Sequence, residues 1–209
     1  MINKRTSILT TVVCLLPIIM AVILYPQLPD TVAIHWDANG NVNGTASKFV
    51  ATILLPGGLL LLSLFMPVLM KIDPKYDNMG EKIKTVVCWI IPITSVVCSG
   101  ITLSNAMGKS VPVQVIVTML LGVIFIIIGN YLPKTKQTYT VGIRIPWTLD
   151  NEENWNKTHR LAGFVWVVGG VVVFASSFTE LRVWIITISI AVMVIVPTVY
   201  SFVHYKKSR

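Results

Sequence analysis

"PVQVIVTMLLGVIFIIIGNYL", residues 112–132, carries no Asp, Glu, Lys or Arg. At about 1.5 Å per residue, a helix of that length crosses the ~30 Å hydrocarbon layer of a bilayer. A helix apolar on every side has no face to turn toward water, so this stretch predicts a membrane span rather than a surface helix.

Working outward, five further blocks share the property: residues 7–25, 49–70, 85–107, 161–178 and 183–203. The whole chain is 54% hydrophobic and only 12% charged, with a mean hydropathy of +0.74. A soluble domain carries about twice that charged fraction. The expected fold is therefore all-α, a polytopic membrane helical bundle of six transmembrane helices with almost no soluble mass. Three regions divide one integral membrane domain: two spans with an external loop (1–70), two central spans (71–132), and a cytoplasmic loop with two spans (133–209). "MINKR" opens the chain like a signal peptide, but the apolar run is long and is followed by Pro26 and Pro29, so it is expected to be a retained first span.

Charge sets the orientation, because basic residues concentrate on the cytoplasmic side. With the N-terminus inside, Lys4, Arg5, Lys71, Lys75, Lys82, Lys84, Lys134, Lys136, Arg144, Lys157, Arg160, Lys206, Lys207 and Arg209 all lie inside. Only Lys48, Lys109 and Arg182 lie outside. Both termini are expected in the cytoplasm, in a multi-pass protein of the cell membrane. The net charge of +8 then reports orientation and anionic lipid rather than direct nucleic-acid binding. Cys14, Cys88 and Cys98 fall within spans without a C-x-x-C, so neither a metal site, a disulfide framework nor any other cofactor is expected.

Two connections are long. The external one, "LPDTVAIHWDANGNVNGTASK" (28–48), has a β-prone run from Thr31 to Trp36 and two turn dipeptides, Asn39-Gly40 and Asn43-Gly44. It predicts a small hairpin between the first two helices. Asp37 followed by alternate asparagines invites a calcium loop, but the Gly and Glu that an EF-hand needs are replaced by Val42 and Lys48. His35, Trp36 and Asp37 are candidates for external recognition, with interfacial anchoring the alternative for Trp36. Within the spans, Pro17, Pro56, Pro67, Pro92 and Pro197 predict kinks, and Gly57-Gly58, Gly129 and Gly169-Gly170 predict close helix approaches. Asn130 is expected to serve structurally, capping its helix or bonding to a neighbour.

The second long connection, about 133–160, holds "GIRIPWTLDNEENWNKTHR" (142–160), where the polar chemistry of the chain collects. Pro146 disfavours helix at Ile145. Asp150 with Glu153 three residues on reads as a capping box opening a helix that runs into the fifth span. On it Trp155, Thr158, His159 and Ala162 share a face, so Trp155 and His159 can stack one turn apart. Arg160 meets the lipid headgroups, and Arg144 can pair with Glu152, Glu153 or a backbone carbonyl. Such a segment is either an amphipathic lead-in helix with an extended strap, or a docking surface built on that scaffold. Catalysis is the weaker reading: the single His has no adjacent nucleophile, and no catalytic motif occurs elsewhere.

Gly142, Arg144, Pro146, Trp147, Thr148, Leu149 and Trp155, with Asn130 before and Arg160 after, resemble the signature segment of the SdpI-like family of bacterial membrane proteins. "LPDTVAIHWDANGNVNG" similarly resembles the DUF1648 domain of unknown function that often precedes it. The resemblance implies an immunity protein that protects the cell against a secreted antimicrobial peptide. It also implies a signalling role in which a cytoplasmic transcriptional repressor is held at the membrane. Gly142, Arg144, Pro146, Trp147, Thr148, Trp155, His159 and Arg160 are then the candidate partner surface. A transporter or exporter is the main rival, against which stands the lack of ionisable residues deep in the spans. An intramembrane enzyme comes third.

Overall fold

The computed structural model describes residues 3–207. Helices are Lys4–Leu24 (α1), Leu55–Lys71 (α2), Glu81–Ala106 (α3), Val113–Tyr131 (α4), Pro146–Asp150 (α5), Glu152–Ser176 (α6) and Arg182–Lys207 (α7). A π-helical turn, Val50–Leu54, leads into α2. Among the described residues, six segments are long and apolar enough to cross a membrane: Lys4–Gln27, Val50–Lys71, Glu81–Ala106, Val113–Lys134, Glu152–Ser176 and Arg182–Lys207. The protein is thus an all-α, multi-pass membrane protein. Each observed span contains most of its apolar block and adds polar ends, because a helix continues past the hydrocarbon until its backbone groups are capped.

The chain forms two compact units. The first comprises Met1–Leu69 and Lys84–Gln114. Besides its helices it holds a two-stranded antiparallel hairpin, Thr31–Trp36 (β1) and Val42–Ser47 (β2). Thr31 faces Ser47, Val32 faces Ala46 and Ala33 faces Thr45, after which the register slips so that His35 opposes Gly44. The turn is organised by Asp37, whose carboxylate accepts the N–H groups of Asn39 and Asn41, both at 2.8 Å, while Gly40 takes a positive φ of 88°. Those bonds, the Asn41 N–H first, hold the Asp37 carboxyl below its usual range. Only Asn39-Gly40 makes the turn. Asn43-Gly44, expected as a second one, lies inside β2, where Gly44 permits close approach to His35: a Cβ there would come within 2.9 Å of the His35 Cβ.

Lys48 closes the hairpin base, pairing with Asp30 at 3.1 Å and lying 5.2 Å from the Tyr25 ring centre. Pro17 and Pro92 lie inside α1 and α3, and Pro67 inside α2. Within this unit Gly57-Gly58 makes no close helix approach: among the described residues, a Cβ at either position would meet nothing within 4 Å.

The second unit comprises Met70–Ile83 and Val115–Arg209. Here α4 and α6 approach backbone to backbone through glycines seven apart on each helix. A Cβ on Gly122 would lie 2.8 Å from the Gly170 carbonyl oxygen, and one on Gly129 would lie 2.9 Å from that of Gly163. In lipid, where apolar side chains gain little by leaving their surroundings, such small-residue contacts are what let helices associate. Phe125 meets Trp166 edge-on at 5.6 Å. The Trp166 indole N–H donates to the Met193 carbonyl of α7 at 3.1 Å.

Arg182, placed outside by the charge pattern, begins α7 and is buried, donating to the Thr179 carbonyl. Asn130 is exposed and, among the described residues, accepts only a long contact from Lys134, at 3.4 Å. Among the described residues its side chain bonds to no other helix, and the chain continues from α4 into a 3-10 turn, Leu132–Lys134.

Candidate functional site

The polar segment between α4 and α6 folds into a strap over the start of α6. Its seat is the pair Trp155 and His159, both buried, with ring centres 3.9 Å apart and planes 20° from parallel. The Trp155 indole N–H donates to the Thr135 carbonyl at 2.7 Å and anchors one end of the strap. The other end is held by His159. Its Nε2 accepts the Ile143 N–H at 2.8 Å, so Nδ1 carries the proton that faces the Trp155 carbonyl, also at 2.8 Å. Both ring nitrogens are thereby used, one as acceptor and one as donor, which is the neutral imidazole.

Gly142 is required between these anchors. It has φ 115°, and a Cβ there would lie 2.6 Å from His159 Nε2 and 2.8 Å from the Trp155 ring. Thr148, fully buried, closes the strap beyond. Its hydroxyl lies 2.7 Å from the Ile143 carbonyl and 2.9 Å from that of Ile145, and accepts the Ile145 N–H at 3.1 Å.

The second support is the connection between α2 and α3, which sequence alone presents as a basic loop. Asp73, 6% exposed, accepts the Tyr139 N–H at 2.9 Å and the Thr140 hydroxyl at 2.6 Å on one oxygen, and the Lys75 N–H at 2.8 Å on the other. Burial by itself raises the Asp73 carboxyl. The Thr140 hydroxyl and the Lys75, Tyr139 and Thr140 amides outweigh it, and the group sits below its ordinary value. Gln137 is the second junction: it accepts from the Lys75 ammonium, its carbonyl accepts from the Asn78 amide at 2.9 Å, and its own amide donates to the Thr148 and Leu149 carbonyls. The Lys75 ammonium also lies 5.4 Å from the Tyr139 ring centre.

The helical lead-in differs from expectation. Pro146 opens a short helix, α5, whose last residue is Asp150. Asn151, extended at φ −133° and ψ 116°, is the cap of α6, its side chain accepting the Asn154 N–H at 2.9 Å. Asp150 cannot cap α6 because its backbone still belongs to α5. Glu153 does not complete a capping box but pairs with Lys157 one turn on, at 2.6 Å.

Asn154, inconspicuous within a polar run, is fully buried. Its amide donates to the Ser201 carbonyl of α7 at 3.0 Å, and its oxygen accepts from the Ser201 hydroxyl at 2.8 Å and the Thr158 hydroxyl at 2.9 Å.

The candidate residues therefore divide. Gly142, Thr148, Trp155 and His159 form the inside of the strap, where they are structural contacts. Arg144, Pro146 and Arg160 are exposed. The Arg144 guanidinium donates to the Tyr139 carbonyl at 2.6 Å, the backbone pairing among the options its position allowed. Trp147 is half-buried, 5.3 Å from Phe202 and 6.3 Å from Tyr205, and its indole N–H has no acceptor among the described residues. On the hairpin, His35 is exposed and shares a 2.5 Å contact with Asn43, while Trp36 and Asp37 are half-buried. Asp73, Gln137, Asn154 and Ser201 do not stand out in the sequence. Only the i, i+4 spacing of Asn154 and Thr158 hints at any of them.

Residues 134–201 match the SdpI/YfhL protein family, and residues 12–60 match a domain of unknown function, DUF1648. The strap, α5, α6 and most of α7 thus lie in the first match, and the greater part of α1 with the hairpin in the second. Along its length the chain is 25% identical to "Immunity protein SdpI" of Bacillus subtilis (strain 168), over 97% of each chain. No solved structure matches it significantly.

Proposed function

Premised on a chain that carries an SdpI/YfhL family segment behind a DUF1648 segment, we propose that the protein is a cell-membrane immunity protein giving resistance to a secreted antimicrobial peptide. The observation that carries this is the similarity to Immunity protein SdpI along 97% of both chains, through spans and loops alike. Both termini and the strap lie in the cytoplasm, as the bias of basic residues favours. The hairpin, with His35, Trp36 and Asp37, then meets the peptide from outside.

The same reading gives the strap a second role, which is to hold a cytoplasmic transcriptional repressor at the membrane once the peptide is engaged. Support comes from the exposed Arg144 and Pro146 beside the half-buried Trp147, residue types suited to docking. The unpaired Trp147 N–H is a buried donor whose desolvation costs about 1–3 kcal/mol. A state in which it finds a carbonyl partner gains that amount, the differential interaction that a two-state element needs.

Expression in a toxin-sensitive cell, followed by challenge with secreted peptides, tests immunity; killing equal to that of the empty host overturns it for those peptides. Arg144→Ala and Trp147→Ala test docking separately. Both are expected to insert in the membrane and to fail to co-sediment the repressor, and normal co-sedimentation would remove the strap as its site.

A further inference from the structure

We propose that a groove between α1 and α3 is a binding site for one acyl chain of an anionic phospholipid, with Lys109 taking the headgroup. The groove encloses about 370 Å³, and its walls include Leu16, Met20 and Leu24 of α1 and Leu103 of α3. That volume falls in the range of small-ligand sites, and an apolar lining with few polar groups is their usual character. It lies within one unit of the fold, on two segments that are each long and apolar enough to span the membrane. Gly100 lines it and leaves it open, since a Cβ there would meet nothing within 4 Å.

Charge selects the occupant. Among the described residues, Lys109 is the only charged one lining the groove, it is exposed, and its ammonium has no acidic partner. Its place is fixed by the end of α3. Gly108 has φ 75°, its N–H bonds to the Asn105 carbonyl at 2.9 Å, and the Lys109 N–H bonds to the Ser104 carbonyl at 3.0 Å. This is the Schellman arrangement, which turns the chain back over the last turn of the helix. A cation is thereby held at the polar end of an apolar slot whose walls lie in hydrocarbon. An anionic lipid matches both parts at once, tail along the wall and phosphate on the ammonium.

The test uses the full chain in nanodiscs of phosphatidylcholine doped with either phosphatidylglycerol or phosphatidylcholine bearing a photoreactive acyl chain. Crosslinks are mapped by mass spectrometry. The expected result is labelling of peptides containing Met20, Leu24 and Leu103, stronger with phosphatidylglycerol by about fivefold, the effect of one basic residue near the surface. Lys109→Gln should abolish the headgroup preference while leaving acyl labelling. Gly100→Leu, which fills open space and favours helix, should suppress labelling with either lipid while circular dichroism stays unchanged. Equal labelling by the two lipids in the native chain, labelling spread over all spans without enrichment at the groove, or a crosslink joining the groove to a second copy of the chain would each overturn the proposal.

Discussion

Gly142 stands so close to His159 that a single added carbon would sit 2.6 Å from the imidazole Nε2. The strap is thus locked on its seat by the absence of a side chain as much as by the Ile143–His159 hydrogen bond. Gly142→Ala meets both a collision and a left-handed backbone at φ 115°. The expected loss is about 1–3 kcal/mol of local stability. Hydrogen exchange of the Ile143 amide reads it directly: faster exchange in the variant with the spans unchanged is the expected outcome, and native protection sinks it.

His159 contributes an acceptor, which shape alone cannot replace. His159→Phe keeps a ring to stack on Trp155 but strands the Ile143 N–H, for a loss of about 1–3 kcal/mol. His159→Gln offers a carbonyl oxygen and should recover part of it. A Phe variant that unfolds in detergent at a higher temperature than the Gln variant would show that stacking rather than the hydrogen bond holds the strap.

Asp73 gives the strap a sensitivity to acid. Its folded-state value lies below the ordinary 3.8, so its contribution is fully present above that value and is lost as pH falls through the folded one. Limited proteolysis between residues 135 and 145 should therefore be slow at neutral pH and accelerate only below about pH 4. Asp73→Asn, which cannot ionise, should cleave faster at neutral pH and show a flatter profile. A native profile that steepens between pH 5 and 7 would assign the sensitivity to another group.

Asn154 and Ser201 tie α6 to α7 across two hydrogen bonds, at 3.0 and 2.8 Å. A double-mutant cycle of Asn154→Ala and Ser201→Ala, read by unfolding in detergent, should give a coupling of about 0.6–1.7 kcal/mol, the range of hydrogen bonds inside membranes. Strict additivity would mean that the pair gains nothing from its partner.

Gly129 and Gly163 should tolerate no bulk. Gly129→Leu forces a side chain against the backbone of α6, where a Cβ alone would lie 2.7 Å from the Val167 nitrogen. Gly57→Leu, pointing into open space, serves as the control. The first is expected to reduce the yield of folded protein severalfold on size exclusion and the second to leave it intact.

How much of this could be read from sequence depended on how far apart the interacting residues lie. The spans were legible because hydrocarbon thickness imposes a length that a run such as 112–132 meets by itself. The Trp155–His159 stack was legible because one helical turn separates them. The Asn39-Gly40 turn was legible for the same local reason, whereas Asn43-Gly44 has identical chemistry and lost to strand pairing with His35. Asp150 and Asn151 are both good caps, and the choice fell to Asn151 because Pro146 had already started a separate short helix. Asp73 was not legible at all: its partner Tyr139 is 66 residues away, and "KIDPKYDNMG" reads as an ordinary solvated loop. Asn154 hid among exposed neighbours because periodicity reports which faces differ, not which polar residue is turned inward.

The bonds from Asp73 to Tyr139 and Thr140 mean that the strap is not a self-contained stretch of chain. A synthetic peptide copying residues 135–150 would lack the carboxylate that orders it and the Trp155–His159 seat beneath it. Any molecule that recognises the folded strap therefore reads a discontinuous epitope. A linear peptide is a poor competitor for it, and an antibody raised against such a peptide reports on the unfolded chain.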